Sequence, residues 1–396
     1  MTEAKHTKRF RNIPRNVWIL GCVSMLMDIS SELIHGLLPV FLLTVLGASA
    51  LSIGLIEGVA EAAALIVKVF SGTLSDYLGK RKGLAVIGYG LSALSKPLFA
   101  LATSAGMVFT ARFVDRVGKG IRGAPRDALV ADLVAAEMRG AAYGLRQSLD
   151  NVGAFIGPLL AVGLMLLWSN DFRAVFWIAV IPATLAVALL YFGVREPNRP
   201  TREKPINPIH WRELKRLHSA YWWVVAIGAI FTLARFSEAF LILRAQQNGL
   251  PLEWVPLIMV AMNMVNAASA YPFGRLSDTM SHTGLLLIGL VVLIAADLLL
   301  AFAQSWGLVF IGVALWGLHM GITQGLLATM VAATAPASLR GTAFGYFYLV
   351  SGLAMLLASV LAGLLWDRLG QAYTFYAGAG FSALAITAIV FKGYRI

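Results

Sequence analysis

Apolar residues run along this chain in long blocks separated by short polar or glycine-containing gaps, and the length of the blocks decides what they are. A helix that crosses a bilayer needs about 20 mostly apolar residues, since each adds about 1.5 Å against a hydrocarbon core about 30 Å thick. Twelve stretches meet that requirement: 17–40, 51–73, 84–102, 107–131, 141–167, 174–194, 221–243, 253–275, 284–303, 306–331, 341–366 and 372–392. The pattern predicts an all-α polytopic membrane protein. The longest polar interruption, residues 195–220 (REPNRPTREKPINPIHWRELKRLHSA), divides the helices six and six. Its Pro and charge content suits a cytoplasmic linker ending in a short amphipathic helix on the lipid surface, between an N-terminal half (1–194) and a C-terminal half (221–396).

Composition narrows the class further. Of 396 residues, 59% are hydrophobic and 13% charged, against about 25% charged in soluble chains, so the lipid bilayer is the expected partner of most of the surface. The net charge of +12 is topological: with the N-terminus inside, twenty Lys and Arg fall in cytoplasmic segments and three, Arg173, Arg244 and Arg368, outside. That bias puts both termini in the cytoplasm of a bacterial-type inner membrane. It leaves no basic domain for nucleic acid. The basic N-terminus is followed by polar membrane residues and no small-residue cleavage site, so the first helix is expected to be retained.

Several chemistries are excluded by motif. Cys22 is the only cysteine, which removes disulfides, paired-cysteine metal sites and CxxC redox chemistry. Gly118, Gly120 and Gly123 satisfy GxGxxG, but inside a membrane helix with no preceding strand. No phosphate loop, GxSxG or HExxH is present, so neither ATP use, a cofactor nor an enzymatic activity is expected.

Internal repeats agree with the six-plus-six division. GTLSDYLGKRK begins at Gly72 after the second span, and GRLSDTMSH at Gly274 after the eighth, 202 residues later. Ser31-Glu32 and Ser237-Glu238 give a weaker echo, 206 residues apart. Two like-oriented six-helix halves are the build of a rocking transporter.

These loops resemble the signature of the major facilitator superfamily, GxLaDrxGrk, through Gly72, Leu74, Asp76, Gly79, Lys80 and Arg81, and its degenerate copy through Gly274, Leu276 and Asp278. The resemblance covers the whole chain and implies alternating access with these loops as cytoplasmic gates. Gly is expected to let the backbone turn, and Asp76 to accept from a helix N-terminus or a neighbouring Arg. The fifth span is similar to the family's antiporter pattern, Gx8Gx3GPxxGG, at Gly144, Gly153, Gly157 and Pro158, with Ala161 and Val162 in place of the closing glycines. That likeness implies export by antiport. In the fourth span, where members commonly carry Arg followed four residues later by Gly, Arg112 is followed by Arg116. A looser similarity to heavy-metal and drug efflux members leaves the substrate open.

Charges inside the spans supply the candidate chemistry, because an ionised group at the bilayer centre costs about 2.5–3.5 kcal/mol unless it is paired or hydrated. Asp28, Glu32 and His35 form a stripe on the first span, Glu57, Glu61 and Lys68 on the second, and Arg112, Asp115, Lys119, Arg122 and Arg126 a mainly basic stripe on the fourth. Further ionisable groups are Lys96, Asp127, Arg146, Asp150, Asp297 and His319. The simplest account pairs the fourth span with the acids of the first two. Proton coupling is expected among Asp28, Glu32, Glu57, Glu61, Arg112, Asp115 and Arg116. Substrate-cavity candidates are Lys119, Arg122, Arg126, Arg235, Glu238, Asn263 and Trp316. The reading is a proton-coupled exporter of a small organic solute. A divalent-metal transporter using Asp28, Glu32, His35 and Glu61 is the alternative, since their oxygen and imidazole donors suit such an ion. Asp76→Asn is expected to slow transport in liposomes while leaving the melting temperature unchanged; a normal exchange rate removes Asp76 from the mechanism.

Overall fold

The computed structural model describes residues 13–391 except 79, 136–137, 197–216, 278, 324 and 337–338. Among the described residues the chain is built of α-helices with one short 3-10 turn at Leu252–Trp254 and no strands. The helices are α1 (Arg15–His35), α2 (Leu38–Thr44), α3 (Ala50–Leu78), α4 (Arg81–Ala100), α5 (Ala105–Asp132), α6 (Arg139–Leu167), α7 (Phe172–Gly193), α8 (Ser219–Ala234) and α9 (Ala239–Gln247). They continue as α10 (Leu257–Leu276), α11 (His282–Phe302), α12 (Trp306–Thr323), α13 (Leu326–Thr334), α14 (Arg340–Arg368) and α15 (Gln371–Phe391). Three pairs, α1 with α2, α8 with α9 and α12 with α13, are each one broken membrane pass.

Eleven passes are long and apolar enough to span a membrane. The twelfth, α5, is as long as the others but carries Arg112, Asp115, Arg116, Lys119, Arg122, Arg126 and Asp127. Its apolar exterior otherwise matches the rest: Phe113 on α5, Leu94 on α4 and Phe192 on α7 all lie exposed, the inverse of a soluble surface. The protein is a polytopic all-α membrane protein.

Where the sequence predicts a loop opening at Gly72, the structure continues α3 to Leu78, so Gly72 is helical. Its missing side chain serves packing rather than a turn: a Cβ there would stand 3.3 Å from Ala124 Cβ on α5. Gly274 and Leu276 likewise belong to the last turn of α10. Gly79 and Asp278, the Asp76 side chain and most of the polar linker lie outside the described residues.

Contacts group the described residues into two compact units, Met1–His35 with Val67–Ile206, and Gly36–Ile66 with Asn207–Ile396. The first unit packs α1, α4, α5, α6 and α7 around Val17, Leu20, Met27, Tyr89, Leu129, Leu145 and Leu190. The second has a core including Tyr221, Phe231, Leu290, Met330 and Phe347. The first half of α3 belongs to this unit because glycines bring it against α14: a Cβ at Gly58 would stand 3.1 Å from the Leu356 carbonyl oxygen, and one at Gly54 or Gly363 would meet the Ser359 or Ala50 carbonyl oxygen. Packing of this kind replaces the hydrophobic drive that lipid removes.

Asp367 of α14 completes that contact by capping α3. Its two carboxylate oxygens accept from the Ala50 and Leu51 N–H groups at 3.1 and 2.9 Å, where the helix has unsatisfied donors and a positive dipole end. Asp367→Ala is expected to lower unfolding free energy by about 1 kcal/mol, read as a lower melting temperature in detergent; an unchanged value removes the cap's role.

Candidate functional site

In the first unit, α1 and α6 meet along small residues. Gly21 on α1 receives Leu149 of α6, and the traffic reverses further along. A Cβ at Gly153 would stand 2.6 Å from the Met25 carbonyl oxygen and 3.0 Å from Asp28 Cβ; at Gly157 it would stand 2.7 Å from Glu32 Cβ. The glycines of the fifth pass thus hold the two acids of the first against α6. Pro158 lies inside α6, which continues to Leu167, while Gly144 faces open space.

Asp150 of α6 shares this seam and feels Asp28 as a like charge. Arg146 donates to Asp150 at 2.5 Å and stands 3.6 Å from Asp127 Oδ1 with its Nε. Arg126 holds Asp127 at 3.1 Å and donates to Ser24 Oγ at 3.0 Å, which in turn is 3.0 Å from the Tyr89 hydroxyl. A continuous polar chain therefore joins α1, α4, α5 and α6, with Arg146 between two carboxylates.

A second network holds α5 to α4. Lys96 and Asp115 form an ion pair at 3.0 Å, with side chains 1% and 4% exposed. Lys96 also donates to Ser31 Oγ at 3.1 Å, and Arg112 stands 3.9 Å from the other Asp115 oxygen. Arg122 donates to Ser92 Oγ and lies over the Tyr89 ring, 4.8 Å from its centroid. Gly88 and Gly118 allow this approach: a Cβ at Gly88 would stand 2.7 Å from the Gly118 carbonyl oxygen. Gly118, the first glycine of the GxGxxG run, thus serves helix packing. Arg116 is buried and Lys119 exposed.

Where α4 begins, the Glu196 carboxylate accepts from the Arg81 backbone N–H and, at 3.2 Å, from that of Lys82. The Arg81 guanidinium binds Asp132 at the end of α5, at 2.8 Å. The repeated-loop arginine thus ties three helix ends together. Lys80 precedes α4 in extended conformation.

In the second unit a cavity of about 330 Å³ is lined by Phe231, Arg235, Asn266, Met320, Thr323, Gly325, Leu327 and Ala328. It lies where two passes break, after Ala234 in α8 and at Gly325, which adopts φ 75° before α13. Arg235, a sequence candidate for the substrate cavity, lines it together with Asn266. Asn263 does not line it. Trp316 does not line it either; it is 1% exposed, with its ring centroid 5.2 Å from that of Phe236. Glu238 directly precedes α9, whose first N–H, that of Ala239, donates to Ser237 Oγ at 3.2 Å.

Glu57 is buried and Glu61 partly buried on the first half of α3, within the second unit. Glu32 and His35 are 4.0 Å apart. Among the described residues no three His, Cys, Asp or Glu side chains gather as a metal site. Sequence reasoning left Lys96 as an unassigned base and missed Arg244 as a structural group: read as an outer-loop charge, it is buried and donates to the Leu300, Ala301 and Ala303 carbonyls closing α11. The signal available was a cation near the end of an apolar block, which suits a helix C-terminus.

Broken helical passes lining a cavity in the second unit, and buried charge networks in the first, are the build expected of a membrane transporter. The chain belongs to the Major Facilitator Superfamily, whose family model matches residues 20–296 and 239–395. It is 34% identical over 391 residues to an uncharacterised transporter of this type from Methanocaldococcus jannaschii, covering 96% of this chain and 95% of that one. It is 24% identical over 385 residues to the inner membrane transport protein YajR of Escherichia coli, covering 94% and 82%. Its fold superposes on the nucleoside transporter NupG with a TM-score of 0.76 at 14% identity, over 96% and 100% of the two chains. Family members carry small-molecule solutes and involve neither ATP nor nucleic acid.

The ion pair in the first unit makes a thermodynamic prediction. Lys96→Met or Asp115→Asn alone is expected to cost about 3–5 kcal/mol, since each strands a buried partner. The double variant Lys96→Met with Asp115→Asn should lose clearly less than the sum of the two single losses in thermal unfolding; additive losses in the cycle would show that the two groups act independently.

Proposed function

We propose that this chain exports a small organic solute in exchange for protons, by alternating access, in a bacterial-type inner membrane with both termini in the cytoplasm. The observation that carries the reading is the seam of α1 and α6, where Gly153 and Gly157 seat Asp28 and Glu32 against α6, and Asp150 of the same helix feels the Asp28 charge. The glycines that resemble the antiporter pattern are the ones that bring the acids of α1 against this helix. Exchange of export for proton entry needs such a group, because a carboxylate takes a proton when its cationic partner leaves and releases it when the partner returns.

Arg146 supplies the moving partner. It donates to Asp150 at 2.5 Å and reaches Asp127 at 3.6 Å, so a rotamer change trades one carboxylate for the other. With Arg146 on Asp127, the Asp28–Asp150 pair holds one proton; with Arg146 on Asp150, the proton is released. Arg81, Asp132 and Glu196 fasten helix ends within one half, so that it can move as a body. Alternating access requires the two six-helix halves to rock about a site near the midplane.

Purified protein in liposomes enclosing a pH-sensitive dye tests the reading against a panel of organic solutes and divalent metals. An organic solute is expected to trigger proton movement, and Asp28→Asn with Asp150→Asn to reduce that movement at least tenfold while solute counterflow persists. Proton movement driven by metals alone, or undiminished in the double variant, would overturn it.

A further inference from the structure

We infer that the cavity of the second unit is a subsite for the anionic end of an organic substrate, a carboxylate on an apolar body, with Arg235 as its counter-ion; this deepens the transport reading above and rests on it. Arg235 stands at the break of the seventh pass, where its backbone (φ −111°, ψ 84°) ends α8 and carries its side chain to the cavity. A guanidinium keeps its charge in proteins. Among the described residues the Arg235 side chain forms no ion pair or hydrogen bond: its Nε is buried without a partner, and its close contact is the face of Phe231, 5.7 Å from the ring centroid. Glu238, three residues on, attracts it without pairing with it. His319, behind Phe231, is engaged through Nδ1 with the Gly289 carbonyl oxygen at 2.8 Å.

The opposite wall adds a second preference for negative charge. Gly325, at φ 75°, turns the chain so that α13 begins at the cavity, and Leu327 and Ala328 of its first turn line it. No described side chain caps that turn, and the Thr323 hydroxyl donates instead to the His319 carbonyl oxygen at 2.9 Å. Its open N–H groups and positive dipole end face the same space as Arg235. Asn266 Oδ1 is buried without a hydrogen-bond partner, and turning the amide presents its NH2 to an anion.

The remaining walls fix the rest of the ligand. Phe231, Met320, Leu327 and Ala328 are apolar, and about 330 Å³ suits a small organic molecule. One cation and one helix end balance a single negative charge, so a monocarboxylate fits better than a multiply charged phosphate. A bidentate guanidinium contact would then orient the carboxylate with the body against Phe231 and Met320.

Binding to the purified full-length protein in detergent, at one pH and without a gradient, tests this separately from proton coupling. The probes are acetate, benzoate and 2-naphthoate with their uncharged amides, followed by thermal shift and titration calorimetry. At least one carboxylate is expected to bind tenfold or more tighter than its amide, Arg235→Gln to abolish the preference, and Arg235→Lys to retain part of it. Ala328→Phe, which leaves Arg235 in place and fills the cavity, should abolish binding, and it decides the matter if Arg235→Gln does not fold. Equal binding of acid and amide, a preference that survives Arg235→Gln or Ala328→Phe, or no carboxylate binding by any probe would overturn the subsite while leaving the proton experiment intact.

Discussion

The first unit depends on the neutralisation of one helix. α5 buries Arg112, Asp115, Arg116 and Arg122, and a low-dielectric interior tolerates such groups only when each meets an opposite charge or a polar partner. Asp115 answers Lys96 and Arg112, Ser92 answers Arg122, and Ser24 with Asp127 answers Arg126. These contacts set which faces of α1, α4 and α6 turn inward, so the arrangement of the unit follows from satisfying α5. They also explain how a helix more polar than the other eleven passes lies within a membrane bundle.

Small residues make the contacts possible. Lipid tails are as apolar as leucine, so helices in a bilayer associate through close packing and polar bonds instead of hydrophobic burial. Gly88 and Gly118 let α4 and α5 touch along their backbones, and Gly153 and Gly157 do the same for α6 and α1. A larger side chain at any of these positions would separate helices whose charges need to be within hydrogen-bonding distance. Packing and electrostatics are therefore one device in this unit: the glycines set the distance at which the ion pairs form.

The second unit solves a different problem. It holds few charges, and it breaks two of its passes instead of adding more. A broken helix releases backbone groups that lipid cannot satisfy, so breaks occur where a cavity or other protein groups receive them. Here Arg235 occupies one break and the start of α13 the other, with the cavity between them. Arg244 shows the complementary use of a buried arginine, spent entirely on the carbonyls that end α11. The two arginines, nine residues apart in sequence, differ in whether the backbone around them leaves acceptors to bind.

By itself the sequence determined the class and the number of passes, because the length of an apolar block against the bilayer thickness is a one-dimensional quantity. It also marked the ionisable residues inside the spans and the glycines of the fifth, since composition in a membrane segment is abnormal wherever it is polar. What it left undecided was partnership. Helical spacing placed Asp115 on a stripe with Lys119 and Arg122, but only the fold put Lys96 at 3.0 Å from it and left Lys119 exposed. Gly72 read as a turn became a packing position, and Gly325 became a helix break inside an apparently continuous span. Each depends on what neighbouring helices present, and that is a three-dimensional matter: periodicity fixes which face of a helix a residue occupies, and only tertiary packing fixes what that face meets.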